Sequence, residues 1–115
     1  MKIADCKVDE ILDIIIDLYE RGFDHDFVLE GEYIRCIQFN EVMIPNDFEV
    51  LETYSCDHKV YKQLNCILCG VQLVKHGIKG ILMANQKSIV AEGSFQLMKK
   101  ISFKTIAESV NNTNL

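Results

Sequence analysis

The residues with the most evident chemistry are two cysteines, Cys66 and Cys69, which stand just before a glycine. This spacing is typical of a zinc knuckle, in which two thiolates approach one metal ion at a sharp turn. The sequence has no second Cys-x-x-Cys pair, so the candidates for the remaining ligands are Cys56, His58, Cys36 and His76. The flanking residues suit a strand interior, where positions three apart point to opposite sides of a sheet. We therefore expect buried free cysteines rather than a zinc site, and no cofactor.

Cysteine usage also bears on the compartment. The chain has five cysteines, an odd count. Its first residues show neither the apolar core of a signal peptide nor an apolar run of about 20 residues that could cross a membrane. These features predict a cytoplasmic protein whose thiols are free, because disulfide frameworks belong to oxidising compartments.

Two short segments place a histidine beside a carboxylate, namely Asp24-His25-Asp26 and Cys56-Asp57-His58. An imidazole beside a carboxylate can serve as a general base when a third group converges on it. Both segments have the composition of polar turns, so we expect solvated side chains here. We predict no catalytic residue.

Lysines of the second half form the other candidate site. An anion-binding surface for a phosphorylated ligand is a hypothesis that rests on Lys75, Lys79, Lys87, Lys99 and Lys100. The second half has no arginine, so it cannot recognise phosphate or guanine with a bidentate fork. Nucleic acid is therefore not an expected partner, nor is a membrane.

Charge is divided unevenly along the chain. Residues 1–57 hold fifteen acidic and four basic side chains, a balance of −11, whereas residues 58–115 hold two acidic and eight basic, a balance of +6. The sum is the formal net charge of −5. Such asymmetry is an argument about partners and self-association rather than about fold. It predicts complementary lobes, within one molecule or across a symmetric dimer.

The elements that must position these groups begin with an amphipathic helix. Apolar residues recur with the helical period between Val8 and Arg21, and Gly22 provides a left-handed stop after which Phe23 folds back. Ile14 and Ile16 widen the apolar stripe, which indicates contact with more than one surface.

Strand patterns follow the helix. They cover residues 27–29, 33–39, 48–54 and 60–74, with a turn at 44–47 and a hairpin around 75–77 that leads into 80–84. The apolar run 60–74 continues through both pleat parities, as in a central strand. A second hairpin at 85–87 leads into 88–91, and Ser94 caps a helix that contains Phe95, Met98 and Ile101.

This order of elements predicts an α+β fold. We expect an antiparallel sheet of about four or five strands, with the N-terminal helix and a C-terminal helix packed on one face. A length of 115 residues suits a single domain. Its core is expected at residues 8–101, with a frayed tail at 111–115.

Three segments carry a resemblance to a known family. They are LYERGFDHDF at 18–27, PNDFEV at 45–50 and GIKGIL at 77–82. With these segments the chain resembles a family of short bacterial proteins that often carry the label phosphoribosylpyrophosphate synthetase. The shared motifs are helix stops, turns and strand starts, so the resemblance implies a fold and no chemistry. The label does not fit, because the chain has no motif for an ATP or ribose phosphate site.

Together these features predict a small cytoplasmic domain that works by binding, either to itself as a homodimer or to a protein partner, without catalysis. The first alternative is a sensor of a small or phosphorylated ligand through the lysines of the C-terminal half. The second is a zinc-stabilised module built on Cys66 and Cys69.

Overall fold

One mixed β-sheet of seven strands, with an α-helix packed on one side, forms the part of the chain that the structure describes. This computed structural model describes residues 2–31, 33–57 and 65–85. The elements are β1 (Lys2–Lys7), α1 (Ile11–Glu20), β2 (His25–Glu30), β3 (Tyr33–Cys36), β4 (Glu41–Met43), β5 (Phe48–Asp57), β6 (Cys66–Leu73) and β7 (Lys79–Asn85). Short 3-10 turns at Val8–Glu10 and Pro45–Asp47 precede α1 and β5.

The strand order in space is β1-β5-β6-β7-β2-β3-β4. Two neighbouring pairs are parallel, β1 with β5 and β7 with β2, and the other four pairs are antiparallel. It follows that β1 and β2 run in the same direction with three strands between them. Helix α1 is the crossover that joins them, so it must pass over β5, β6 and β7.

The end of α1 turns the chain sharply back onto the sheet. Gly22 has a φ of 100°, and the Phe23 amide donates to the Leu18 carbonyl at 3.0 Å. This is the left-handed helix stop that the sequence predicts. The Phe23 ring is buried against Gly70 of β6, where an added Cβ would lie 2.8 Å from the ring.

The buried side chains form two clusters, one on each side of the sheet. On the helix side, α1 residues pack with Tyr54, Leu68 and Ile81. The cluster on the opposite side contains Phe27, Ile34, Cys36, Met43, Phe48, Ile67, Cys69, Val71, Leu73 and Leu82. A bulge between Val50 and Glu52 reverses the alternation along β5, so that Val50 and Tyr54 belong to different clusters.

The predicted fold class is wrong. The sheet is mixed and has seven strands, where an antiparallel sheet of four or five was expected. The error lies at β1 and β4, which the sequence analysis did not recognise as strands. The missed β1 makes a parallel pair with β5 and turns α1 into a crossover. The predicted C-terminal helix and the second hairpin lie outside the described residues.

Several local predictions are confirmed. The amphipathic segment forms α1, the apolar run ends in β6 at the interior of the sheet, and residues 74–76 form the turn between β6 and β7. Ile14 packs in the core while Ile16 is exposed, so the described residues show contact with one surface, and the predicted second surface stays a prediction.

Candidate functional site

Helix α1 presents three different sides. Its inner side, which packs on the sheet, consists of Ile11, Ile14, Ile15 and Leu18. A second side is apolar and exposed, and we call Leu12, Ile16 and Tyr19 the α1 flank. The third side is acidic and consists of Asp13, Asp17 and Glu20. At 3.6 residues per turn, the spacing 12, 16 and 19 places the flank on one line along the helix.

An ion pair shows which way the flank faces. Arg21 lies roughly opposite the flank around the helix axis, and its guanidinium donates to Glu52 of β5 at 2.8 Å. The side of α1 that bears Arg21 therefore faces β5. Consequently the α1 flank faces the other way along the sheet, towards β2.

The part of the sheet beyond α1 carries exposed apolar side chains as well. Val28, Tyr33, Val42 and Met83 lie on the helix side of β2, β3, β4 and β7, and we call them the sheet strip. Val28 and Val42 flank Arg35 in the cross-strand register. We call the α1 flank and the sheet strip together the open surface. Leu12 is 66% exposed and Met83 is 52% exposed, so the described part of the chain leaves this surface uncovered.

Polar groups within the open surface are paired with each other. Arg35 donates to both carboxylate oxygens of Glu30, at 2.6 and 2.9 Å, and to the Asn40 side chain at 2.9 Å. The ion pair lowers the pKa of the Glu30 carboxyl. Because Arg35 is already engaged, it does not supply a free cation for a ligand here.

The ligand-binding lysines that were predicted from sequence separate into different environments. Lys79, at the start of β7, holds its ammonium 5.3 Å from the centre of the Phe23 ring. Lys75 is exposed in the turn between β6 and β7. Lys87, Lys99 and Lys100 lie outside the described residues. Lys79 thus has a structural cation–π partner, and it does not converge with Lys75 on either of the clefts that follow.

Two small adjoining clefts lie at the end of the sheet where β6 turns into β7. The first, of about 150 Å³, is lined by Glu41, Met43, Asp47, Leu73, Lys75 and His76. The second, of about 180 Å³, shares Glu41, Leu73 and His76 and adds Phe39 and Ile78. Pockets for small molecules usually enclose about 300–1,000 Å³. These clefts are smaller, and the acidic groups beside Lys75 oppose an anion.

The zinc hypothesis does not agree with the positions of its cysteines. Cys66 packs in the cluster under α1, whereas Cys69 lies in the cluster on the opposite side of the sheet, as strand geometry requires. Burial raises the pKa of the Cys69 thiol to about 12, which disfavours the thiolate that a metal needs. His58 lies outside the described residues. Within residues 2–31, 33–57 and 65–85, no three His, Cys, Asp or Glu side chains are grouped to hold a metal.

The expectation of free thiols is wrong for two of the five cysteines, while Cys36, Cys66 and Cys69 are free. A disulfide joins Cys6 of β1 to Cys56 of β5, whose Cα atoms are 4.6 Å apart in directly opposed register. This bridge also removes Cys56 from the candidate metal ligands. Sequence reasoning missed it because the two cysteines are 50 positions apart and cysteine pairing cannot be read from spacing.

His25 also differs from its prediction as a solvated turn residue. It begins β2, stacks on Phe39 with ring centres 5.3 Å apart, and places Nδ1 2.8 Å from Asp24 Oδ1. The pair has the geometry of an oriented imidazole. His25 does not line either of the two clefts formed by the described residues.

Two further findings concern the chain as a whole. The described residues contain no helix with the length and apolar character needed to span a membrane. Comparison of the chain with protein-family models, curated proteins and solved structures found no match. The resemblance noted from the sequence therefore stays a prediction.

Proposed function

We propose that this protein is a non-catalytic interaction domain that associates with a second copy of itself through the open surface. The observation that supports this proposal is the position of the α1 flank beside the sheet strip. Seven large apolar side chains of these two strips are exposed around one corner of the sheet. Contiguous exposed apolar patches on soluble domains commonly mark interaction sites.

The charge distribution supports a second copy of the chain as the partner that covers the open surface. The acidic side of α1 adjoins the α1 flank, and residues 58–115 hold eight basic and two acidic side chains. A copy that presents part of this basic half to α1 would complement the acidic side while covering the flank. Exposed charge pairs are screened over about 10 Å at 0.1 M salt, so the association should weaken as salt is added.

We place this activity in the cytoplasm. Three of the five cysteines, Cys36, Cys66 and Cys69, are free thiols, which suits a reducing compartment. The Cys6–Cys56 disulfide would then be transient rather than a permanent staple.

The test is sedimentation velocity on the full chain across a range of concentrations, at low and high salt. We expect a dimer that dissociates on dilution and with salt. Ile16→Glu, in the α1 flank, should weaken dimerisation at least about tenfold, which corresponds to about 1.4 kcal/mol. Val74→Glu is the matched control, because Val74 is also exposed but lies in the turn between β6 and β7.

The proposal fails if the wild-type chain stays monomeric at every concentration. It also fails if Ile16→Glu and Val74→Glu behave alike, because the association would then not depend on the open surface. A dimer that is insensitive to salt would keep the apolar surface as the site and remove the electrostatic argument.

A further inference from the structure

Three cysteines occupy one row across three neighbouring strands. Cys6 of β1 is opposite Cys56 of β5, and Cys56 is opposite Cys66 of β6. All three belong to the cluster on the helix side. The row therefore places the middle residue, Cys56, between two potential disulfide partners, of which Cys6 is the one now bonded.

Both partners are at bonding distance from Cys56. Disulfides join residues whose Cα atoms are about 4.4–6.8 Å apart, and the Cys6–Cys56 separation is 4.6 Å. Residues directly opposite in antiparallel strands have Cα atoms about 4.5 or 5.5 Å apart, depending on the hydrogen-bond pattern. Either value places Cys66 in range of Cys56. Cys6 and Cys66 are two strand spacings apart, about 9.5 Å, so they cannot bond directly.

We propose that Cys56 is a thiol–disulfide exchange site, at which Cys66 displaces Cys6. This proposal does not depend on self-association. The Cys66 thiolate attacks Sγ of Cys56, the Cys56–Cys66 bond forms, and the Cys6–Cys56 bond breaks. Cys6 leaves as a thiolate and takes up a proton equivalent to the one that Cys66 lost. One disulfide is exchanged for another, so the step needs no external oxidant or reductant.

The arrangement of the row suits this displacement. A thiolate attacks a disulfide from the side opposite the leaving sulfur, and the strand order places Cys66 and Cys6 on opposite sides of Cys56. Burial and the nearby Asp57 carboxylate raise the pKa of the Cys66 thiol, so little thiolate is present at neutral pH. The exchange is therefore expected to be slow compared with that of an exposed thiol.

The exchange changes what the disulfide holds. The Cys6–Cys56 bond ties the edge strand β1 to β5, whereas a Cys56–Cys66 bond would tie β5 to its antiparallel neighbour β6. After exchange, β1 would keep its backbone pairing with β5 but lose its covalent attachment. The same three cysteines would thus set whether an edge of the sheet is covalently attached.

The test is disulfide mapping by mass spectrometry of the full chain after equilibration in a glutathione redox buffer and rapid alkylation. In the wild type we expect both Cys6–Cys56 and Cys56–Cys66. Cys6→Ser should form Cys56–Cys66 within one chain, and Cys66→Ser should form only Cys6–Cys56. Cys56→Ser should form neither. Alkylation is carried out in denaturant so that buried thiols react, and Cys36 and Cys69 should then be labelled and absent from every disulfide, as internal controls.

A second measurement follows the exchange itself. The redox buffer is removed from the wild type, and samples are alkylated at intervals. A labelled Cys6 then shows that the Cys6–Cys56 bond has been replaced by Cys56–Cys66. Cys66→Ala should show no such label, and circular dichroism of each variant confirms that it is folded. The proposal is overturned if the wild type and Cys6→Ser lack a Cys56–Cys66 bond in the buffer that forms Cys6–Cys56. A Cys6–Cys66 bond in Cys56→Ser would also overturn it, because it would show that these two cysteines are not held two strands apart.

Discussion

The helix side of the sheet has two halves that carry similar side chains in opposite environments. In the covered half, formed by β1, β5, β6 and the start of β7, Tyr54, Leu68 and Ile81 are buried under α1. In the open half, formed by β2, β3 and β4, Val28 and Val42 point to the same side and are exposed. The two halves therefore do not differ in residue type. They differ in whether α1 packs over them.

The width of a helix accounts for this difference. An α-helix with its side chains is about 10–12 Å across, and strands lie about 4.8 Å apart, so at any one level of the sheet a helix covers roughly two strands. Because α1 crosses from β1 towards β2, its inner side packs on residues of β5, β6 and β7 along its length. The seven strands of the sheet span about 29 Å. Among residues 2–31, 33–57 and 65–85, α1 is the one α-helix on this side, and it leaves side chains of β2, β3 and β4 exposed. The exposed apolar side chains of the open surface thus follow from the topology of the described residues.

The largest expected effect comes from making one substitution on two sides of α1. Leu18→Ala should lower the free energy of unfolding by about 2–5 kcal/mol, because Leu18 is fully buried and its removal leaves a cavity. Leu12→Ala, on the α1 flank, should change the value by no more than about 0.5 kcal/mol in the monomer. Urea unfolding at a concentration below dimerisation measures both. Equal losses would show that the flank is part of the core.

The next effect concerns the seam between the halves, where β7 and β2 run parallel. Gly80 lies opposite His25, and a Cβ added to Gly80 would overlap the His25 carbonyl and the Phe27 ring. Gly80→Ala should therefore cost about 1–3 kcal/mol of stability through overpacking. Met83→Ala, at an exposed position of the same strand, is the control and should be nearly neutral. An unchanged urea midpoint for Gly80→Ala would mean that the seam adjusts freely.

A smaller effect distinguishes the pair that Arg21 makes with Glu52 from the pair that Arg35 makes with Glu30. In the covered half, Glu52 is buried and accepts from Arg21 at 2.8 Å and from the Tyr54 hydroxyl at 2.6 Å. Glu52→Gln removes the charge at constant volume and should cost about 1–2 kcal/mol. Glu30→Gln disrupts the exposed pair with Arg35 and should leave thermal stability unchanged. Similar losses for the two variants would contradict the difference in burial.

Local features of this fold could be predicted from sequence. The glycine stop after α1 and the turn between β6 and β7 depend on a few adjacent residues, and both are present. The sequence also shows that the apolar stripe of α1 is wide, but it does not separate the exposed α1 flank from the buried inner side. Such patterns do not reveal which apolar side of a helix is buried by packing and which stays exposed.

The features that were missed depend on residues far apart in the chain. Strand β1 contains two lysines and an aspartate among its six residues, so it carries little strand signal of its own. Its pairing with β5 joins segments about 50 positions apart, and the same pairing brings Cys6 to Cys56. The edge position of β1 and the disulfide follow from this one long-range contact, and the crossover by α1 follows from it together with the parallel pairing of β7 and β2. The candidate lysines were selected by charge alone, which does not report their surroundings.

The smallest predicted effect tests those lysines. Lys79→Gln should cost about 0.5–1 kcal/mol of stability, because the ammonium of Lys79 lies over the buried Phe23 ring. Lys75→Gln, in the exposed turn, should be neutral. Thermal unfolding of both variants with and without inorganic phosphate separates the two roles. If phosphate raises the melting temperature of the wild type and each substitution abolishes that shift, the lysines serve a ligand. If phosphate has no effect and only Lys79→Gln is destabilised, Lys79 supports the covered half of the sheet.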